Sequence, residues 1–369
     1  MTQPGPPPLV AITGVRVFDG ERVTAARTVV LRDGLISAED APPEGAALVD
    51  GTDQVLLPGL IDAHVHVQGP EALDRSAEHG VTTVLDMASR PPALIASLRG
   101  RAGTADLRSA GSPASAPGGL QTTLMGFDPS TALTGPHDAE PFVAERAAEG
   151  SDYIKVIVED PDTRSAIALD GETVAALVDA AHRRGLRVFA HATTRGAYRL
   201  AAGAGVDVLT HAPVDADVDD DLVALVRAKG IVVVPTLTMM KAVTQLGRTP
   251  DEAGAAYAHA QACVGALHRA GVPIIAGTDA NAAPGAPARV AHGSGLHDEL
   301  ALLVDAGLSP VEALRAATVL PARLFNLCDR GTVEPERRAD LVLVGADPTL
   351  DISATADIRG AWAGGRRVQ

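Results

Sequence analysis

Short apolar runs alternate with longer amphipathic stretches over most of the chain. Runs of about 4–8 apolar residues bounded by turn residues read as strands, and apolar positions recurring every three to four residues read as helices. After a leader over residues 1–7 (MTQPGPP), expected to be extended or disordered, come VAITGVRVFDG, RTVVLRDGLISA and AALVDGTDQVLLPG. These are β-rich segments broken by Asp-Gly and Gly-Thr turn signals. From Leu60 the pattern becomes strand, helix, strand. Strands are expected near Leu60–His66, at VTTVLDM (81–87), at ADLRSAG (105–111), around Lys155, and in runs ending at His191 and His211. GIVVVPTL supplies a seventh and the run ending at Asp279 an eighth. AEPFVAERAAEG, ETVAALVDAAHRRG, RGAYRLAAGAG and DDLVALVRAKG read as helices between them, as does a stretch through roughly 251–270. In SPVEALRAATVLPARLF the opening residues form an N-cap signature, with Ser at the cap, Pro at the first helical position and Glu two residues later. Residues 112–137 and 280–295, rich in Ala, Gly and Pro, read as long loops. The tail, ADLVLVGAD and IRGAWAGGRRV, returns to β character.

Repeated βα units imply a parallel sheet, and eight of them imply an α/β fold, the (β/α)8 TIM barrel. The β-rich head and tail are expected to join as a small composite β-sandwich domain from residues 1–57 and 331–369, leaving the barrel to residues 58–330.

Composition narrows the function. The 369 residues are 46% hydrophobic, enough for a large core, with no apolar run long enough to span a bilayer. The first residues lack the pattern of a signal peptide, so a cytoplasmic location is the default expectation. A net charge of −15 and 2% aromatics argue against nucleic acid, which needs a basic face and stacking platforms. A small-molecule substrate is expected, with neither nucleic acid nor membrane as partner; a homo-oligomer is compatible. Cys263 and Cys328 form no CxxC pattern and read as free thiols.

The candidate chemistry lies at the ends of the expected strands, where TIM barrels hold their catalytic groups. His64 and His66 are two apart on a strand and share a face. Two imidazoles inside a barrel need a partner, and a metal ion is the natural one. His191 and His211 end consecutive strands, and Asp279 ends the strand that closure would bring beside the first. Asp279 can ligate a metal and accept a proton; it also reads as a turn or N-cap residue. Lys155, one of only three lysines in an arginine-preferring chain, sits inside the apolar run Tyr-Ile-Lys-Val-Ile-Val. Burial lowers a lysine pKa, and the free amine can take up CO2 as a carbamate, which arginine cannot do. An ion pair with Asp86 or Asp279, or a Schiff-base role, would also account for it.

The motifs PGLIDAHVHV, DYIKV, VFAHATT, DVLTHAP and IIAGTDAN resemble the metal-ligand motifs of the amidohydrolase superfamily. GLHDELALLVDAGLSPVEALRAATVLPARLF resembles its imidazolonepropionase- and prolidase-like branch, and the likeness covers about residues 55–345. The resemblance implies two Zn2+ ions per chain. His64, His66 and Asp279 would hold one, His191 and His211 the other, with a CO2-derived carbamate on Lys155 bridging them. It further implies Asp279 as general base and a hydroxide shared by the metals as nucleophile, cleaving an amide or related C–N bond in a dipeptide, N-acyl amino acid or similar molecule. The branch makes an Xaa-Pro or Xaa-Arg dipeptidase a natural substrate reading. A lactonase or cyclic-amide hydrolase would use the same centre. A mononuclear deaminase would want an acid near strands five or six, where HATT and HAPVD offer no Glu, and a non-enzymatic scaffold would be expected to have lost ligands. The branch often carries a Gly-Gly-His motif after strand three; here RSAGSPASAPGG has no histidine before His137. Substrate contacts are expected just beyond the strand ends, from Arg195, Tyr198, Thr236, Met239 and His292.

Overall fold

The computed structural model describes residues 5–163, 167–283, 286 and 288–369. Part of the expected leader (residues 1–4) and part of the expected 280–295 loop (284, 285 and 287) lie outside the described residues.

Both chain ends build one eight-stranded sheet. Its strands are β1 (Val10–Val17), β2 (Arg27–Arg32), β3 (Leu35–Ile36), β4 (Ala47–Asp50) and β5 (Val55–Pro58) from the head. From the tail come β13 (Leu341–Val344), β14 (Ile358–Ala363) and β15 (Arg366–Arg367). The order is β15-β14-β13-β5-β1-β2-β3, with β4 paired to β1. The β5–β13 pair is antiparallel, Pro58 opposite Leu341 and Val55 opposite Val344. Alternating apolar residues give this sheet its own core, with Val10, Ile12, Leu31, Leu56, Leu341, Leu343 and Trp362 all buried.

The middle of the chain carries strands buried on both faces over most of their length, as parallel strands covered by helices require, with polar side chains such as Asp62, Asp86 and Lys155 among the buried positions. β6 (Leu60–Val65), β7 (Val81–Asp86) and β8 (Asp106–Ser109) form one parallel sheet. A second contains β9 (Ile154–Ile157), β10 (Val188–His191), β11 (Val208–Thr210) and β12 (Val232–Val234). Among the described residues twelve α-helices surround or follow them: α1 (Pro70–Glu78), α2 (Pro92–Leu98), α3 (Leu120–Thr123), α4 (Ala139–Ala148), α5 (Gly171–Arg183), α6 (Arg195–Ala204), α7 (Asp220–Ala228), α8 (Leu237–Thr244), α9 (Pro250–Arg269), α10 (Ser294–Asp305), α11 (Pro310–Ala316) and α12 (Val319–Leu324). Local capping fixes several starts. Thr194 and Asp219 cap α6 and α7, and Ser309 with Glu312 forms the expected reciprocal box at α11. No helix among the described residues is long and apolar enough to cross a membrane.

The expected eighth strand is not a regular ladder. Residues 273–280 make separate contacts instead: Ile275 N–H donates to Val233 and Ala63 N–H to Ala276, while Asp279 N–H donates to His64 and His66 N–H to Ala280. Pro273 lacks a donor, and Asp279 has a left-handed backbone (φ 60°), so continuous pairing is broken. At the other edge, Ala114 bridges to β9 through bonds with Lys155 and Ile157. The described architecture is thus two parallel sheets linked along both edges by isolated bridges. The 112–137 segment is not featureless, since it holds α3 and two 3-10 turns at Pro129–Thr131 and Pro136–Asp138. The long helical pattern after Ser309 is split in two, and a further helix, α8, contains Met239, Met240 and Lys241.

Candidate metal centre

The ends of β6, β10 and β11 and the 273–280 segment deliver five polar groups to one point. His64 lies in β6, with His66 just past its end. His191 is the last residue of β10, and His211 follows β11. Asp279 Oδ1 lies 3.0 Å from His66 Nε2 and 3.6 Å from His64 Nε2, and Oδ2 is 3.9 Å from His211 Nδ1. One ligand atom from each of His64, His66 and Asp279 falls within 4.8 Å of the others. The His64 and His211 ring centroids are 4.8 Å apart, and those of His191 and His211 4.5 Å. Five of the six expected ligands therefore converge.

Lys155, the sixth, is buried in β9, and its Nζ donates to Thr210 Oγ1 at 2.7 Å. Thr210, not Asp86 or Asp279, is its hydrogen-bond partner. Burial pushes its pKa down to about 7, so a large neutral fraction exists near neutrality. Burial, reinforced by Lys155, pushes His191 down to about 3 and holds His64 and His211 well below the usual imidazole range. Neutral imidazoles present the lone pair that a metal requires. His66 is raised: burial opposes its charge, but the hydrogen bond and charge of Asp279 outweigh burial. His64 Nδ1 is buried without a hydrogen-bond partner, a costly state for a polar atom unless a ligand meets it.

The backbone around the site is strained. His211, Asp279 and Thr236 adopt φ of 73°, 60° and 47°. Such conformations persist only where the surroundings over-determine them. The surroundings here include two buried acids, Asp62, which carried no sequence-based expectation, and Asp86, expected only as a possible partner of Lys155. Asp62 accepts from Thr278 N–H (3.0 Å), His64 N–H (3.2 Å) and Thr278 Oγ1 (2.7 Å), fixing the residue before Asp279. Asp86 accepts from Val67 N–H at 2.9 Å and from the hydroxyls of Ser89 and Ser109 at 2.5 Å each, tying together the ends of β6, β7 and β8. Gly277 allows the close approach, because a Cβ there would lie 2.5 Å from Val234 Cγ1 and 2.9 Å from the His64 nitrogen. A further acid without a sequence-based expectation, Glu159, stands beyond β9 with Oε1 3.8 Å from His191 Nε2. The absence of a Glu in HATT and HAPVD therefore does not leave that side without an acid.

The expected substrate contacts are dispersed. Arg195 is exposed, and its guanidinium donates to the Asp217 carbonyl. Tyr198 is fully buried, with its hydroxyl donating to the His211 carbonyl. Thr236 Oγ1 meets His211 Nδ1 at 2.9 Å, and Met239 is buried in α8. His292 is buried with both ring nitrogens unpaired, and the charge of nearby His66 helps burial lower its pKa to about 4. His182 and His259 pair with Asp207 and Asp217, away from this cluster.

Residues 55–368 match the Amidohydrolase family. The chain belongs to this family. Membership makes it a hydrolase acting on carbon–nitrogen bonds. An uncharacterized protein of Mycobacterium tuberculosis (strain ATCC 25618 / H37Rv) is 30% identical over 351 residues, covering 86% of this amidohydrolase and 85% of the relative. A Xaa-Pro dipeptidase solved with methionine in its active site superposes with a TM-score of 0.82 at 22% identity, over 97% of this chain and 99% of its own. Molinate hydrolase superposes with a TM-score of 0.80 at 19% identity, over 98% and 95%. At these identities the likeness to the two solved structures is one of α/β fold.

Proposed function

We propose that this amidohydrolase is a binuclear metal-dependent enzyme that hydrolyses an amide or related C–N bond in a small molecule, a dipeptide or N-acyl amino acid. The convergence of His64, His66, His191 and His211 on Asp279 carries the reading. The donor set fits divalent zinc, with imidazoles of which His64, His191 and His211 are held neutral, one carboxylate and the unpartnered Nδ1 of His64. His64, His66 and Asp279 would hold one ion, and His191 and His211 the other. The backbone bridges along both sheet edges support a (β/α)8 barrel over residues 58–330. The separate core of the terminal sheet supports a composite β-sandwich domain over 1–57 and 331–369.

Two bound cations would supply a water acidified toward neutrality and a Lewis acid for the scissile carbonyl. The chain's own residues do the rest. The neutral Lys155 amine would add to CO2, forming an N–C bond as one C=O π bond of CO2 is lost and an N–H proton passes to solvent, and the resulting carbamate would offer anionic oxygens to the cations. An Asp279 carboxylate oxygen takes a proton from the attacking water and delivers it to the departing nitrogen, so the amine leaves neutral. Prolidase-like neighbours of the fold favour dipeptides as first substrates.

Metal content of protein produced with zinc and bicarbonate, alongside Lys155→Ala, tests the reading. About two ions per chain, falling in the variant, with hydrolysis of Xaa-Pro dipeptides or N-acyl amino acids, is the expected result. One ion in both proteins refutes the bridged pair, and none refutes the metal centre.

A further inference from the structure

Helix α8 begins without the local cap its sequence offers. Its N-cap is Thr236, a residue type that ordinarily turns its hydroxyl onto the amides of the first turn. Here the Thr236 side chain makes no capping bond, and its Oγ1 lies against His211 Nδ1 at 2.9 Å. The exposed amides are met from α10 instead. Glu299, fully buried and 62 residues away from Leu237 in sequence, accepts from Leu237 N–H at 2.9 Å through Oε1. Its Oε2 accepts from Thr238 N–H and Thr238 Oγ1, each at 2.7 Å. None of these three bonds is to a ligand of the candidate centre.

We infer that Glu299 is a positioning residue for the metal centre: by capping α8 from a distance, it frees the Thr236 hydroxyl to orient His211. The geometry explains an otherwise costly conformation. Thr236 is β-branched and left-handed (φ 47°), which is rare and needs external support. Glu299 fixes the two amides that immediately follow it, and Thr236 O accepts from Met240 N–H, so the backbone is held on its helical side. The carboxylate suits this place because a helix start favours negative charge. With the cap supplied by Glu299, the hydroxyl can set the tautomer and angle of His211, as outer partners of metal-bound imidazoles do. Were Glu299 lost, Thr236 would have two competing demands, the stranded amides and the imidazole.

This inference rests on the metal-centre reading, and one experiment separates their failures. Metal-free wild-type protein, Glu299→Gln, Thr236→Val and the double variant are titrated with Co2+, following the visible d–d absorption. Wild type should bind cobalt; a wild type that binds none refutes the metal centre itself. Each single variant should weaken one binding step by about 10–100-fold, the range for losing an outer partner, with a changed band shape. Because both changes act through one His211 contact, the double variant should be no weaker than the worse single variant. Losses that multiply in the double variant, or wild-type binding by Glu299→Gln, overturn the inference. Should Glu299→Gln fail to fold by circular dichroism, Thr238→Ala, which removes one of the three bonds, decides. A smaller loss of cobalt affinity supports the inference, and no loss overturns it.

Discussion

Replacing Asp62 by Ala should destabilise the protein by about 3–6 kcal/mol. Asp62 is 1% exposed and accepts three hydrogen bonds, two from backbone amides and one from a hydroxyl. Alanine would leave the Thr278 and His64 amides and the Thr278 hydroxyl without their acceptor in a space closed to bulk water. A buried donor left unpaired costs about 1–3 kcal/mol, and some repacking will relieve the upper end. Such a loss is a large part of the roughly 5–15 kcal/mol that holds a domain together. Asp62→Asn should cost only about 1 kcal/mol, because its amide oxygen can still accept from both N–H groups while its NH2 donates to the Thr278 hydroxyl. The assay is urea denaturation of metal-free protein, comparing midpoints at a common slope. An Ala variant within 0.5 kcal/mol of wild type would refute the accounting, where ~0.5 is the ordinary scatter of surface substitutions. Equal losses in the Ala and Asn variants would show that charge, not the pattern of accepted bonds, is what Asp62 supplies.

Other sites give sharper or smaller effects. Gly277→Ala should cost about 1–3 kcal/mol by overpacking, since its Cβ would strike Val234 and the His64 backbone, and should weaken metal binding in a cobalt titration. Ser309→Ala, at the capping box of α11, should lower stability by about 1 kcal/mol in the same urea assay while leaving metal content unchanged. Lys155→Arg should abolish carbamate formation, read as loss of the carbamate carbon signal when wild type and variant are equilibrated with 13C-bicarbonate. The Glu299 carboxyl is raised by burial to about 7 from 4.5, so the folded state binds more protons than the unfolded state between those values. Its contribution to stability is therefore fully present below about 4.5 and falls by about 3 kcal/mol as pH rises through 7. Glu299→Gln should flatten that part of the stability–pH curve, and an unchanged slope would contradict the assignment.

The sequence displayed what depends on local pattern. Apolar runs ending in His64, His191 and His211 were legible because a strand places such residues at a sheet end, and the box at Ser309 because capping is set within four residues. It hid what depends on distant partners. Glu299 reads as one more polar residue of an amphipathic helix, yet its partners lie across the fold on α8. Glu159 reads as a loop acid, and only folding brings it to His191. Tyr198 follows a strand end, as a pocket residue should, but helix α6 turns it inward beneath His211. The eighth strand was readable as an apolar run, while its irregular pairing came from Pro273 and the left-handed Asp279.

The pairing of β5 with β13 also carries a consequence for the nascent chain. Arg16, in the same sheet, meets Asp347, 331 residues later. At roughly 5–20 residues per second of synthesis, the head strands would wait some 15–65 s on the ribosome before their partners emerge. Through that interval β5, the run Val-Leu-Leu-Pro and wholly buried at the end, has one edge open to any other strand it meets. The late-made strand β13 thus acts as the latch that retires an aggregation-prone edge.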